Sequence, residues 1–87
     1  MAVYELIVRK SVSTDLRAIP KKDLERILAR IAALATDPRP PGCEKLSSLE
    51  RYRVRQGRYR ILYEIEDARL TVTVVKVGHR REVYRGH

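Results

Sequence analysis

At 87 residues the chain can hold one domain around one core, with no room for a second. Apolar residues make up 44% of it, with five Tyr and no Trp or Phe, so Leu, Ile, Val and Tyr have to fill that core. It has no apolar run of about 18 residues and no basic-apolar-small leader pattern, so membrane insertion and export are not expected and the chain reads as cytoplasmic. The net charge of +8 is uneven: residues 1–50 hold nine Lys/Arg against seven Asp/Glu, and residues 51–87 hold ten against four. A basic excess concentrated in the C-terminal part is an electrostatic footprint for a polyanion, nucleic acid above all.

In chain order, Val3 to Arg9 alternates, with Tyr4, Leu6 and Val8 on one face, and reads as a first strand. Ser11 or Ser13 can cap a short helix that ends near Ala18, with Val12 and Leu16 on its inner side. Pro20 suits the first turn of a second helix, where its missing N–H is no loss. Leu24, Ile27, Leu28, Ile31 and Leu34 follow at helical spacing, with Lys21, Lys22, Glu25, Arg26 and Arg30 on the other side. Thr36-Asp37-Pro38 and Pro40-Pro41-Gly42 end that helix and open a loop to about Leu49, which Leu46 and Leu49 pin to the core. Cys43 lies alone in this loop, with no second thiol for a disulfide or a zinc site.

The stretch RYRVRQGRYR, Arg51 to Arg60, carries the strongest pattern. Tyr52 and Val54 alternate with Arg51, Arg53 and Arg55; after Gln56-Gly57, Tyr59, Ile61, Tyr63 and Ile65 alternate with Arg58 and Arg60. This predicts a hairpin with Gln56-Gly57 as its loop, placing Arg55 opposite Arg58 and Arg53 opposite Arg60. Like charges in register cost roughly 0.2–1 kcal/mol per pair, by analogy with other cross-strand terms, which an anionic partner would offset. A second turn at Asp67-Ala68 pairs Glu66 with Arg69 and sets Leu70, Val72 and Val74 beside Ile65, Tyr63 and Ile61. One sheet face is then apolar and takes the long helix as its cover. The expected fold is a single two-layer α+β domain over residues 1–87, in the order β-α-α-β-β-β, with a mainly antiparallel sheet.

Gly78 ends the last strand, and His79-Arg80-Arg81-Glu82-Val83-Tyr84 follows. With Val77 beside Arg58 and Val75 beside Arg60, this tail emerges next to the arginines. Guanidinium forks grip phosphates and an aromatic ring stacks on an unpaired base, so the convergence suits a phosphodiester. Tyr52, Tyr59 and Tyr63 fall on the apolar face and belong to the core, whereas Tyr84 lies beyond the last strand. No HExxH, CxxC, P-loop or GxGxxG pattern is present, and neither metal nor cofactor is expected.

The segments YRVRQGRYRILYEIED and VGHRREVYR, with a β-branched strand between them and a strand and helical pair before them, resemble the RelE/ParE superfamily of toxins from toxin–antitoxin systems. The resemblance covers nearly the whole chain. It implies a compact toxin with a cognate antitoxin as partner. In the RelE branch it also implies a metal-independent endoribonuclease that acts on mRNA in the ribosomal A site, the ribose 2′-hydroxyl attacking the adjacent phosphate. In the ParE branch the target is DNA gyrase instead, and a third possibility is a degenerate toxin that only binds. By position, the resemblance matches Arg53, Arg55, Arg60, Arg80 and Tyr84 to the family's site; Arg55, Arg60, Arg80 and Tyr84 are expected to be catalytic, and Arg53, with Arg58 and Arg81 of the same basic cluster, to contact phosphate. Arg53 and Arg55 stand where RelE proteins carry lysines, one of them the assigned base, and arginine stays protonated at neutral pH. The base therefore falls to His79, to Glu82 or to no residue of this chain, His79 ranking first.

Overall fold

The computed structural model describes residues 3–46 and 50–79. Its elements are β1 (Glu5–Val8), α1 (Lys10–Arg17), α2 (Lys21–Ala33), β2 (Glu44–Lys45), β3 (Arg51–Gln56), β4 (Tyr59–Glu66), a 3-10 turn (Asp67–Arg69) and β5 (Thr71–His79). The strands form one sheet in the order β1-β5-β4-β3-β2, antiparallel except where β1 runs parallel to β5. Val12, Ile19, Ile27, Ile31 and Leu34 from the helical layer pack with Tyr52, Val54, Ile61, Tyr63, Ile65, Val72, Val74 and Val77 from one sheet face. The two-layer α+β domain is therefore as expected, with one strand added: β2 pairs with β3 inside the segment read as loop.

Local differences have physical causes. Arg9 stands at the start of α1 in extended conformation, its N–H held by the Val74 carbonyl at 3.2 Å, so the helix starts directly from the strand. Ser11 and Ser13 consequently lie inside α1 and cap nothing. Pro20 precedes α2 as expected, and Asp23 and Arg30 sit in its first and last turns, where they suit the helix dipole. Leu28, expected in the core, is 46% exposed. It lies about 100° around the helix from Ile27, outside the stripe that the sheet covers.

Both hairpin registers shift without changing faces. Gln56 pairs with Tyr59, so the loop is Gly57-Arg58, with Arg55 opposite Arg60 and Arg53 opposite Leu62. Gly57 has φ 60 whereas Arg58 and Gln56 have no positive φ, which suits a type II′ turn with glycine first. A Gln-Gly loop of type I′ would force Gln56 into the left-handed region. At the other end Glu66 pairs with Thr71, and Leu70, expected beside Ile65, sits in the turn at φ 50 and 43% exposed. A bulge at Leu62/Tyr63 lets Tyr63 pair with Val74 and Leu62 with Lys76, leaving Val75 as the extra residue. Val77 thereby joins Ile61 on the core face rather than standing beside Arg58.

A polar clamp closes the end of the sheet away from the Gly57-Arg58 turn. Arg39 donates from Nη1 to Asp67 Oδ1 at 3.2 Å and from Nη2 to Asp67 Oδ2 at 2.9 Å, and also reaches Glu50 and the Tyr52 hydroxyl. Tyr4 donates to Asp67 at 2.7 Å and Tyr52 to Glu50 at 2.8 Å. The Arg39 guanidinium beside Asp67, and the Tyr52 hydroxyl and Lys45 ammonium beside Glu50, hold both carboxyls below their ordinary range. Tyr63, fully buried and stacked on Tyr52 at 5.9 Å, donates to the Pro38 carbonyl at 2.7 Å. Burial pushes its phenol well above the usual range, so it remains a donor. Together these bonds tie the loop after α2 to the sheet and so place β2 against β3.

Candidate nucleic-acid interface

On the sheet face away from the helices, strand alternation sets Arg51, Arg53 and Arg55 on β3 beside Glu64, Leu62 and Arg60 on β4. The three pairs are not equivalent. Arg51 donates to Glu64 from Nη2 at 2.6 Å and from Nε at 3.2 Å, and Arg9 approaches the other oxygen of Glu64 at 3.6 Å. Arg53 is bridged by Glu44, its register partner on β2. The inner half of this face is thus neutralised by carboxylates of the same chain. Arg53 and Arg60 are each only 8% exposed. Leu62, between Arg53 and Lys76 in the ladder, is buried as well, which fits long cationic side chains laying their stems over an apolar neighbour.

Charge remains concentrated at the Gly57-Arg58 end. Arg55 and Arg58 are exposed, and Arg55 faces Arg60 across the hairpin in the like-charged arrangement anticipated for other pairs. On its other side Arg60 pairs with Gly78. The structure therefore brings Arg55 and Arg60 together, keeps Arg58 in the adjoining turn and holds Arg53 in an ion pair. Arg80, Arg81, Glu82 and Tyr84 lie outside the described residues.

His79 does not join the arginine face. It pairs with Tyr59, and the two rings meet edge to face at 6.0 Å, on the side of the sheet that carries Ile61 and Val77. There it lines one cavity of about 430 Å³ with Asp15 and Ile19 and another of about 480 Å³ with Pro20, Asp23 and Arg58. The nearby Lys76 ammonium meets Asp15 at 3.2 Å, and Asp15 also accepts from the Val77 N–H at 3.3 Å. The bulge puts His79 on the face opposite Arg55 and Arg60, although it shares a cavity with Arg58 of the turn; in a run that is β-branched almost throughout, nothing in the sequence marks the residue that steps out of the ladder.

Sequence reasoning missed two sets of groups. Glu44 was hidden in a Pro/Gly loop, although its spacing of nine residues from Arg53 suits a short return strand. Arg39, Asp67 and Tyr4 are too far apart in the chain for any spacing signal. Chemically, the exposed Arg55 and Arg58 at the end of the face offer planar forks that suit phosphate oxygens.

The fold and this basic hairpin end define a class: a small α+β domain of the kind found in toxin–antitoxin complexes. The RelBE2 toxin–antitoxin complex of Mycobacterium tuberculosis superposes with a TM-score of 0.80 at 26% identity, over 92% of this chain and 94% of that one. The archaeal RelE–RelB complex of Pyrococcus horikoshii gives a TM-score of 0.82 at 26% identity, over 90% and 96%. The isolated RelE toxin of E. coli shares the fold with a TM-score of 0.77 at 22% identity, over 94% and 92%. In sequence, Toxin RelG of Mycobacterium tuberculosis is 44% identical over 34 residues, a match spanning 39% of each chain. The model of the ParE toxin of type II toxin–antitoxin systems, parDE, matches residues 6–84. The chain belongs to this RelE/ParE toxin family.

Proposed function

We propose that this toxin is a ribosome-dependent mRNA endoribonuclease held in check by a cognate antitoxin. The observation that carries the reading is the Arg55–Arg60 pair at the hairpin end, with Arg58 in the adjacent turn and a glycine beside Arg60. In this reading the two guanidiniums grip the scissile phosphate and neutralise the charge that builds when the 2′-hydroxyl attacks it. Attack forms the bond from O2′ to phosphorus and breaks the bond to the 5′-oxygen, leaving a 2′,3′-cyclic phosphate. Arg80 is assigned to the same phosphate, Tyr84 to stacking on a base, and Arg58 and Arg81 to flanking phosphates. His79 pairs with Tyr59 on the face opposite Arg55 and Arg60, so the reading assigns it no proton transfer, and the base falls to Glu82 or to a group outside this chain.

A second reading is favoured by the ParE family model itself: inhibition of DNA gyrase, with the basic hairpin as a protein- or DNA-contacting surface. Induction in cells followed by primer extension on a reporter mRNA separates the two. Cuts within translated codons support the nuclease; intact mRNA with a DNA-damage response supports the gyrase reading. For the antitoxin, co-expression with the adjacent gene product should yield one stable complex. Separate elution at low salt would count against it.

A further inference from the structure

We infer that the outer edge of β1 pairs with the same edge of a second copy of this chain, antiparallel and centred on Ile7. β1 closes one side of the sheet, so one flank of its backbone has no neighbouring strand. The Glu5 N–H bonds to the Leu70 carbonyl at 2.8 Å and the Arg9 N–H to the Val74 carbonyl at 3.2 Å, so the odd-numbered residues turn their backbone groups to β5. Alternation points the N–H and C=O of Leu6 and Val8 outward, where no described residue bonds them. The opening has defined ends. On one side the Tyr4 N–H is held by the Ala35 carbonyl at 2.7 Å, and on the other α1 begins at Lys10. The side chains at the opening are apolar on both faces, with Ile7 44% and Val8 43% exposed. Such an edge is a template for a further strand.

The residues of the edge are complementary to themselves. With pairing centred on Ile7, Leu6 stands opposite Val8 of the second copy; both point their backbone groups outward, so each such pair exchanges two hydrogen bonds. Ile7 meets Ile7 on the outer face. Glu5 falls opposite Arg9, so a carboxylate faces a guanidinium at both ends of the joined strands. Neighbouring registers fail: centring on Leu6 needs Tyr4, whose N–H is already bonded to Ala35, and centring on Val8 needs Lys10, which is inside α1. Arg9 is 53% exposed and meets Glu64 only at 3.6 Å, an exposed contact that yields at low cost. The formal charge of +8 on each copy opposes association. However, β5 and β4 separate β1 from the arginines of β3, which stay toward the outer sides of the joined sheet.

Sedimentation equilibrium of the full chain, free of antitoxin, measures the dimer. The joined strands are short for an interface, so a Kd on the order of 100 µM is expected in about 0.3 M NaCl, which screens the repulsion between copies. Ile7→Lys sets two ammoniums opposite each other and should weaken the dimer at least about fivefold. Glu5→Arg and Arg9→Glu each set like charges opposite at both ends and should weaken self-association by at least about as much. An equimolar mixture of these two variants restores opposite charges at both ends and should dimerise about as well as wild type. In a Cys43→Ser background, Ile7→Cys should oxidise to a linked dimer, because a non-hydrogen-bonded antiparallel pair holds its Cα atoms about 4.5 Å apart, within disulfide reach. Ser13→Cys, exposed on α1, should stay monomeric in the same background. The cross-link keeps the test decisive even where a charge variant fails to fold. A chain that stays monomeric across the concentration series, or a mixture of folded variants no better than its parts, overturns the inference. So does a monomeric wild type whose Ile7→Lys variant loses the antitoxin complex, which would give the edge to the antitoxin.

Discussion

Replacing Tyr63 by Phe removes one oxygen from the best-buried aromatic residue of the sheet, and its cost can be worked from the contacts. Tyr63 is fully buried, its ring stacks on Tyr52 at 5.9 Å, and its hydroxyl donates to the Pro38 carbonyl at 2.7 Å. Phenylalanine keeps the ring, its packing and its stacking, so neither a cavity nor a lost aromatic contact contributes. What is lost is the donor, leaving the Pro38 carbonyl without that bond; an unsatisfied buried acceptor costs about 1–3 kcal/mol. Asp37 and Arg39 on either side of Pro38 are exposed, so the loop can relax, and the lower half of that range is expected. For a domain of this size about 1–2 kcal/mol corresponds to a fall in Tm of roughly 5–15 °C. Thermal unfolding followed by far-ultraviolet circular dichroism, with a urea titration for the m-value, measures it. A Tm within about 1 °C of wild type would refute the claim that this bond anchors the loop after α2.

Further outcomes follow from the same geometry. Asp67 and Glu50 have carboxyls held below their ordinary range in the folded state, so their ion pairs stabilise fully above the unfolded values near 4 and lose that contribution as pH falls through the lower folded values. Arg39→Ala should therefore lower Tm at pH 7 and make Tm less sensitive to pH in that acid window; an unchanged acid slope would contradict the clamp. His79→Ala should cleave near the wild-type rate on programmed ribosomes, and a large loss together with a lost acidic limb in the pH–rate profile would reinstate it as the base. Tyr84→Ala should weaken cleavage by the loss of about 1–3 kcal/mol of base stacking, and Tyr84→Phe should be milder; equal effects would point to the hydroxyl instead.

Strand alternation made the faces of the hairpins legible in the sequence, because a register shift of two positions in the pairing leaves every side chain on its own side. Tyr52, Val54, Ile61, Tyr63, Val72 and Val74 therefore reached the core as expected even though both turns were misplaced. The turns were not legible, since a two-residue loop can place its glycine first or second, and only the positive φ of Gly57 with none at Gln56 decides between them. The bulge at Val75 was hidden by a run in which nearly every residue suits a strand, and it moved His79 to the face opposite Arg55 and Arg60. The charge pattern marked the arginine hairpin but overstated its open surface. Arginines were legible as a cluster; the carboxylates of Glu44 and Glu64, which neutralise its inner half, become their neighbours only after folding.

In the proposed reading Arg55 and Arg60 hold phosphate while Arg51 holds the fold, and single-turnover cleavage of A-site mRNA on programmed ribosomes measures that division. Arg60→Ala removes a charge-stabilising donor and should slow cleavage by about 10²–10³-fold, whereas Arg51→Ala, whose guanidinium is committed to Glu64, should change it by less than about fivefold. Wild-type rates for both variants, or equal losses in both, would contradict the assignment of the hairpin end as the phosphate site.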